Sequence, residues 1–193
     1  MRRYPGTCRG IAPDVGAVRA AREERHAWRF RVGDGHAPVY EDRVRGRWGE
    51  GRQAPGDFVV YRADDVPAYQ LAVVLDDAAM RIDEVVRGDD LASSTPAQLL
   101  LYDALGLRAP VFGHVPLLLG PDGSRLSKRH RGVTLRELRE AGYAPETVVG
   151  RLAQRLGLRP DATPAAAVDL VAGFDLSRVP SADPGYVVDP ADW

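Results

Sequence analysis

From residue 57 onward, short apolar segments alternate with longer segments whose apolar residues recur at helical spacing. Residues 57–62, 82–86 and 111–119 have the composition of strands. Residues 67–80 and 93–105 lie between them and carry one apolar face each. Strands that alternate with helices of this length predict βαβ units around a parallel sheet, and therefore an α/β fold.

The flanking segments have a different character. Residues 1–56 are rich in glycine and arginine, and they predict a helix over residues 14–28, strands at residues 29–32 and 39–42, and a loop over residues 46–56. After residue 132 the pattern turns helical, with helices predicted over residues 134–141, 145–156 and 163–172, and the end of the chain looks irregular. We therefore predict three parts: residues 1–56, 57–132 and 133–193.

Composition indicates a globular protein. Of the 193 residues, 45% are hydrophobic and 27% are charged, and no run approaches the roughly 18 apolar residues that a membrane helix needs. The basic start of the chain has no apolar core behind it, unlike a secretory signal. Because Cys8 is the single cysteine, an internal disulfide and a zinc site of several thiolates within this chain are both excluded. These features predict a cytoplasmic protein with no membrane partner.

Basic residues are unevenly distributed, although the formal net charge is only -1. One cluster lies in residues 43–52, where a solvated face is the simpler interpretation. The other lies in residues 125–131, where a Pro-Asp-Gly turn at residues 121–123 precedes Ser127, Lys128 and Arg129. A short basic loop of this composition suits a triphosphate, because an ammonium, a hydroxyl and backbone N–H groups can all donate to phosphate oxygens. From the residues alone, a phosphate site and a solvated loop both stay open.

Residues 125–129 (RLSKR) and four segments before them resemble, in order, motifs of the glutamate-specific branch of the class I aminoacyl-tRNA synthetases. Arg125, Leu126, Ser127, Lys128 and Arg129 resemble the Lys-Leu-Ser-Lys-Arg form of the family's Lys-Met-Ser-Lys-Ser signature. The other segments are residues 69–77 (YQLAVVLDD), 85–90 (VVRGDD), 95–99 (TPAQL) and 114–117 (HVPL). The resemblance implies the second half of a Rossmann-like catalytic domain, followed by a small helical appendage at the C-terminus.

The resemblance also implies roles for individual residues. Tyr69 and Arg87 correspond to positions that contact the substrate L-glutamate, where a planar guanidinium suits a carboxylate. Lys128 corresponds to the second lysine of the signature and would be the catalytic residue that binds the phosphates of ATP, while the rest of residues 125–129 complete this ATP-binding loop. Two alternatives stay open: a core aromatic at Tyr69 and a surface arginine at Arg87.

Two features resemble the glutamyl-queuosine branch, whose members place glutamate on the queuosine base of tRNA(Asp). Tyr4 and Cys8 resemble the end of that branch's zinc motif, and residues 130–193 are too few for an anticodon-binding domain. Residues 1–56 then correspond to the remnant of a zinc-binding insertion. The implied partners and cofactors are L-glutamate, ATP with Mg²⁺ and tRNA(Asp), with zinc in intact members.

The sequence also departs from the family pattern. It lacks the His-x-Gly-His signature and the Cys-x-Cys pair of the family's first half, so it resembles an N-terminally truncated member whose zinc site is incomplete. Asp65 and Arg81 stand where the family usually has glycine, which predicts distortion at two turns.

Three functions stay open for such a chain. The preferred one is the glutamate-binding and ATP-loop half of a ligase that forms glutamyl adenylate, and this half is predicted to be inactive alone. The second is a fragment of a glutamyl-tRNA synthetase, and the third is a non-catalytic RNA-binding remnant.

Overall fold

The computed structural model describes residues 4–7, 9–10, 25–33, 35, 37–126, 134–181 and 185–189. These residues form two compact units, each assembled from several chain segments. The first unit takes the described residues of Met1–Tyr40, Arg47–Glu84 and Ser93–Val111, and the second takes those of Glu41–Gly46, Val85–Ala92 and Phe112–Trp193. The division of the sequence into three parts stays a prediction.

Strands and helices alternate between residues 58 and 115 of the described chain. The strands are β1 (Trp28–Phe30), β2 (Tyr40–Asp42), β3 (Gly46–Trp48), β4 (Phe58–Tyr61), β5 (Glu84–Gly88), β6 (Val111–Val115), β7 (Leu118–Leu119) and β8 (Tyr186–Val187). The α-helices are α1 (Tyr69–Ala79), α2 (Thr95–Ala104), α3 (Leu135–Glu140), α4 (Pro145–Arg155) and α5 (Ala167–Val171). Two 3-10 turns cover Asp89–Ser94 and Leu176–Arg178.

The largest sheet has four strands in the order β3-β2-β6-β5. β2 and β6 run parallel, with Asp42 opposite Phe112. β7 and β8 form a second parallel pair, and β1 and β4 form an antiparallel one. The parallel pairing confirms the α/β class predicted from the alternation of strands and helices, and the non-sequential strand order requires crossover connections of the Rossmann kind.

In the first unit, a strand pair and two helices share an apolar core. Phe30 of β1 lies opposite Phe58 of β4, and their rings stack with centroids 5.3 Å apart. α1 packs against β4 and α2. Val74 of α1 is fully buried, as is nearly all of Leu101 of α2. Of the apolar face predicted for α1, Val74 therefore lies in this core, whereas Leu75 is 45% exposed.

α1 and α2 end in the same hydrogen-bond pattern with different residues. After α2, Gly106 adopts a φ of 64°, and its N–H and the next one donate to the carbonyls of Asp103 and Tyr102. After α1, Arg81 adopts a φ of 58°, and the N–H groups of Arg81 and Ile82 donate to the equivalent carbonyls of Ala78 and Asp77. Among the described non-glycine residues, only Arg81 and Asp65 have a positive φ. The turns at Asp65 and Arg81 both keep the positive φ that glycine favours. The departure from the family pattern therefore causes backbone strain at these two residues.

In the second unit, the C-terminal helices enclose a separate core. Leu138 of α3 and Val148 of α4 pack with Val188, which is fully buried. α3 begins with a capping box, in which the Thr134 hydroxyl accepts from the Glu137 N–H at 3.2 Å and the Glu137 carboxylate accepts from the Thr134 N–H at 3.0 Å.

Two predictions for the N-terminal part were wrong. The helix predicted over residues 14–28 does not extend to residue 28, because residues 25–27 are not helical and Trp28 is the first residue of β1, where it pairs with Tyr61. Residues 11–24 lie outside the described residues. The loop predicted over residues 46–56 contains β3, whose Trp48 packs against Tyr40.

Two predictions for the C-terminal part were also wrong. The strand predicted over residues 111–119 is divided into β6 and β7 at Pro116, whose nitrogen has no hydrogen to donate to a ladder. The end of the chain, predicted to be irregular, contains β8, which pairs with the remote β7. Among the residues that the structure describes, no helix is long and apolar enough to cross a membrane.

Candidate functional site

Three neighbouring strands each place one polar side chain near their C-terminal end. Asp42 is the last residue of β2, His114 is the fourth of five in β6, and Arg87 is the fourth of five in β5. All three belong to the second unit. The C-terminal ends of strands in open α/β sheets are the usual place for ligand sites.

The three side chains form one hydrogen-bonded row. Asp42 Oδ2 lies 2.5 Å from His114 Nδ1, and both side chains are completely buried. Arg87 Nε donates to His114 Nε2 at 3.0 Å. Because an ionised carboxylate only accepts and a guanidinium only donates, His114 must carry its proton on Nδ1 and present a lone pair at Nε2. The row therefore fixes the histidine tautomer from both sides.

The Asp42 carboxylate is held in its ionised form. Burial alone would raise the pKa of this group, but the hydrogen bond from His114 and those from the backbone N–H groups of Arg45, Val44 and His114 lower its pKa from 3.8 to about 2. The three backbone bonds converge on Oδ1 at 2.9, 3.0 and 3.2 Å. Asp42 is thus a fixed, charged acceptor at neutral pH.

Arg87 has further constraints on its guanidinium. The guanidinium carbon lies 5.0 Å from the centre of the Phe112 ring, which stacks on the His114 ring at 6.1 Å. Nη2 makes a longer contact of 3.4 Å with the carbonyl of Leu91. Arg87 is half-buried. It is not the solvated surface arginine left open by the sequence, and its chemistry suits a carboxylate ligand.

The segment that leads into the ATP-binding signature is a closed hairpin. Gly120 N–H donates to the Ser124 carbonyl at 2.8 Å, and Leu126 N–H donates to the Leu118 carbonyl at 2.9 Å. Arg125 forms an ion pair with Asp90, which follows β5. The predicted ATP-loop residues Ser127, Lys128 and Arg129 lie outside the described residues. The structure thus places Arg87 and the start of the signature in one unit.

Tyr69, the other residue predicted to contact glutamate, belongs to the first unit as the first residue of α1. Its side chain is not packed in a core, since 52% of its surface is exposed. The alternative of a core aromatic is therefore wrong, and the substrate role stays a prediction.

The predicted zinc ligand Tyr4 borders a cavity of about 390 Å³ in the first unit. Arg9 crosses this region and binds both oxygens of Asp57 at 2.7 and 2.6 Å, while the Arg29 guanidinium lies 4.3 Å above the Tyr4 ring. Cys8 lies outside the described residues. Within the described ranges, no three His, Cys, Asp or Glu side chains come together as a metal site. Because structural zinc takes four ligands, the residues placed around Tyr4 do not fit one.

The sequence reasoning missed the two residues that hold Arg87. His114 was part of a motif without a role, and Asp42 was only a strand residue. Both lie near the C-terminal ends of strands in the structure, but the strand predicted over residues 111–119 did not place His114 near its end, so the sequence carried no signal for the pair. The Arg9–Asp57 pair was missed as well, because it joins residues 48 positions apart.

The chain matches known proteins over nearly its whole length. Residues 1–172 match the family of class I tRNA synthetases (E and Q), catalytic domain. A glutamyl-Q tRNA(Asp) synthetase of Symbiobacterium thermophilum is 50% identical over 177 residues, which cover 92% of this chain and 54% of that protein. A glutamate–tRNA ligase of Heliobacterium modesticaldum is 40% identical over 193 residues, covering 99% of this chain and 39% of that protein.

A solved structure has the same fold. A glutamate tRNA ligase from Elizabethkingia meningosepticum, in complex with its amino acid, superposes with a TM-score of 0.78 at 26% identity, covering 98% of this chain and 42% of that one. The chain thus spans about half the length of the glutamyl-Q relatives, and less of the glutamate–tRNA ligases. With 172 matched residues and this fold, the chain belongs to the class I tRNA synthetases of the E and Q group, whose catalytic domain it resembles.

Proposed function

We propose that this chain is the glutamate-binding and ATP-loop half of a ligase that activates L-glutamate with ATP and Mg²⁺. The observation that carries the proposal is the placement of Arg87 and the signature hairpin in one unit, where Asp90 follows β5 and pairs with Arg125. A fixed guanidinium for a carboxylate and a basic loop for a triphosphate are two of the recognition elements that adenylate formation requires.

In the proposed reaction, a glutamate carboxylate oxygen forms a bond to the α-phosphorus of ATP, and the bond from that phosphorus to the oxygen bridging to the β-phosphate breaks. Pyrophosphate leaves with the negative charge. Lys128 binds the departing phosphates, and it stabilises the transition state more than the ground state because charge accumulates there as pyrophosphate separates. Arg87 binds the glutamate carboxylate that does not react. For Tyr69, contact with glutamate stays a prediction.

We further propose that the activated glutamate is transferred to the queuosine base of tRNA(Asp), in the cytoplasm. Support comes from the 50% identity to the glutamyl-Q tRNA(Asp) synthetase of Symbiobacterium thermophilum over 92% of this chain. The second candidate is transfer of the activated glutamate to tRNA(Glu), the reaction of a glutamate–tRNA ligase. It is favoured by the likeness to a solved glutamate tRNA ligase over 98% of this chain.

A transfer assay distinguishes the two candidates. The chain is joined to the first half of the Symbiobacterium thermophilum relative, and the joined enzyme is given ATP, labelled glutamate and one of three RNAs: tRNA(Asp) with queuosine, tRNA(Asp) with unmodified guanine, or tRNA(Glu). The proposal predicts label only on the queuosine-containing RNA. Label on tRNA(Glu) would show that the second candidate is correct. Arg87→Ala is the control variant: because Arg87 is proposed to bind glutamate, this variant should transfer less labelled glutamate to the RNA.

A further inference from the structure

We propose that Asp42 and His114 are positioning residues that orient Arg87 for the glutamate carboxylate. The inference rests on the proposed function of Arg87. It assigns a task to a buried carboxylate and a buried imidazole that the reaction itself does not use. Neither side chain has exposed surface, so neither contacts a substrate directly.

The geometry restricts the two ends of the row differently. At the Asp42 end, three backbone N–H groups and the His114 ring all converge on one carboxylate, so this carboxylate has a single orientation. The hydrogen bond between His114 Nδ1 and this carboxylate fixes the orientation of the His114 ring. At the other end, Nε2 offers one lone pair in a fixed direction, and Arg87 Nε donates to it.

Holding an arginine by Nε determines where its other donors point. The five N–H donors of a guanidinium lie in one rigid plane, so a bond at Nε together with an aromatic ring beside the guanidinium restricts the direction of both Nη groups. In Arg87 the Phe112 ring supplies the second constraint. A long and otherwise flexible side chain is thereby prepared for a planar carboxylate, and less side-chain entropy is lost when the substrate binds.

In this arrangement the Asp42 carboxylate determines which nitrogen of His114 carries the proton. In Asp42→Asn the side-chain oxygen can still accept from the backbone, but the amide nitrogen donates to His114 Nδ1. The histidine proton then moves to Nε2, where it faces the N–H of Arg87. Two donors in opposition displace Arg87, whereas the shapes of all three side chains stay nearly the same.

The first test is spectroscopic and uses the 193-residue chain alone. Nitrogen-15 spectra of the histidine rings distinguish a proton on Nδ1 from one on Nε2, and His114→Gln identifies the His114 signals among the four histidines. At pH 7.5 we expect the proton on Nδ1 in the wild type and on Nε2 in Asp42→Asn. A wild-type proton on Nε2, or an unchanged tautomer in Asp42→Asn, would overturn the proposal.

The second test measures glutamate-dependent ATP–pyrophosphate exchange in the joined enzyme. Because Arg87 binds a carboxylate present in both ground and transition states, Asp42→Asn should raise KM for glutamate roughly 10-fold, the effect of one lost hydrogen bond to a charged group, with kcat nearly unchanged. His114→Gln retains an acceptor for Arg87 and should raise KM less than His114→Leu. A purely structural role predicts that the two variants, where folded, have the same KM for glutamate. Circular dichroism confirms that each variant is folded.

Arg87→Ala separates failure of this inference from failure of the proposed function. If Arg87→Ala leaves KM for glutamate unchanged, the assignment of Arg87 to the substrate is wrong and the positioning role falls with it. If Arg87→Ala raises KM but Asp42→Asn and His114→Leu do not, Arg87 binds glutamate without the row, and the positioning role alone is contradicted.

Discussion

At Asp42, burial and hydrogen bonding act on the carboxylate in opposite directions, and hydrogen bonding has the larger total effect. The pKa of the group falls from 3.8 to about 2 in the folded protein. A carboxylate with a depressed pKa stabilises the fold above its unfolded-state pKa, and this contribution is lost as the pH falls through the folded-state pKa. Asp42 therefore stabilises the protein at neutral pH and ceases to do so in acid.

The predicted consequence is a pH-dependent stability difference between the wild type and Asp42→Asn. The pH-dependent part of the difference in free energy of unfolding should favour the wild type by about 2 kcal/mol above pH 4 and be lost between pH 4 and pH 2. Urea unfolding at pH 7, 4, 3 and 2.5 measures it. Asp161→Asn is the comparison: hydrogen bonds from Thr163 also lower the pKa of the Asp161 carboxyl, but this group is exposed to water, so the pH-dependent difference should be smaller. A difference that stays constant from pH 7 to pH 2.5 would contradict the predicted pKa.

The region of Tyr4 yields a prediction about metal. Tyr4 and Cys8 supply at most two ligands, whereas structural zinc takes four. We therefore expect the purified monomeric chain to hold no stoichiometric zinc when it is measured by inductively coupled plasma mass spectrometry after dialysis. One tightly held zinc per monomer would show that other residues of this chain complete the site.

Single residues could be predicted from the sequence only where a motif marked them. Arg87 was found in this way, and the structure places it at a strand end. Asp42 and His114 were not found, because they are 72 positions apart and become a pair only when β2 and β6 lie side by side. No local pattern in the sequence carries that pairing.

At the scale of elements, the two helix ends of the first unit offer a matched comparison. Gly106 and Arg81 occupy the same position after α2 and α1, with the same bonds and nearly the same φ. Neither site is crowded in a way that would obscure the backbone effect: Arg81 is exposed, and a Cβ at Gly106 would meet no atom within 4 Å.

We predict that Arg81→Gly raises the free energy of unfolding by about 0.5 kcal/mol. Relief of the left-handed strain gains about 1–2 kcal/mol, and the greater freedom of glycine in the unfolded chain offsets much of it. Gly106→Arg should lower the free energy of unfolding by about 1 kcal/mol. Urea unfolding of both variants at pH 7 checks the pair. Destabilisation by Arg81→Gly would mean that the Arg81 side chain makes stabilising contacts that outweigh its strain.

Helices were easier to predict than strands in this chain. The helices α1, α2, α3 and α4 were located because their spacing of apolar residues and their end signals, such as Gly106 and Thr134, are local. β3 and β8 were missed because each has only two or three residues, and their stability depends on partners elsewhere in the chain. Short strands carry too little periodicity to be recognised alone.

At the scale of the whole molecule, the proposed activity needs more binding sites than these 193 residues contain. The chain spans about half the length of its glutamyl-Q relatives. Adenylate formation needs the adenine site, both phosphate-binding signatures and the glutamate site assembled together, because positioning supplies much of the rate. Of these parts, the 193 residues include residues 125–129, which resemble the second signature, and Arg87, which we propose binds glutamate. We therefore expect no glutamate-dependent exchange from the 193-residue chain alone.

The most direct test of the account is glutamate-dependent ATP–pyrophosphate exchange by the chain joined to the first half of the Symbiobacterium thermophilum relative, with and without Lys128→Ala. We predict that the joined enzyme is active and that Lys128→Ala lowers kcat roughly 100-fold or more, the scale for losing one preorganised group that stabilises developing charge. Exchange by the 193-residue chain alone, or a joined enzyme indifferent to the loss of Lys128, would contradict the assignment of this chain as the glutamate-binding and ATP-loop half.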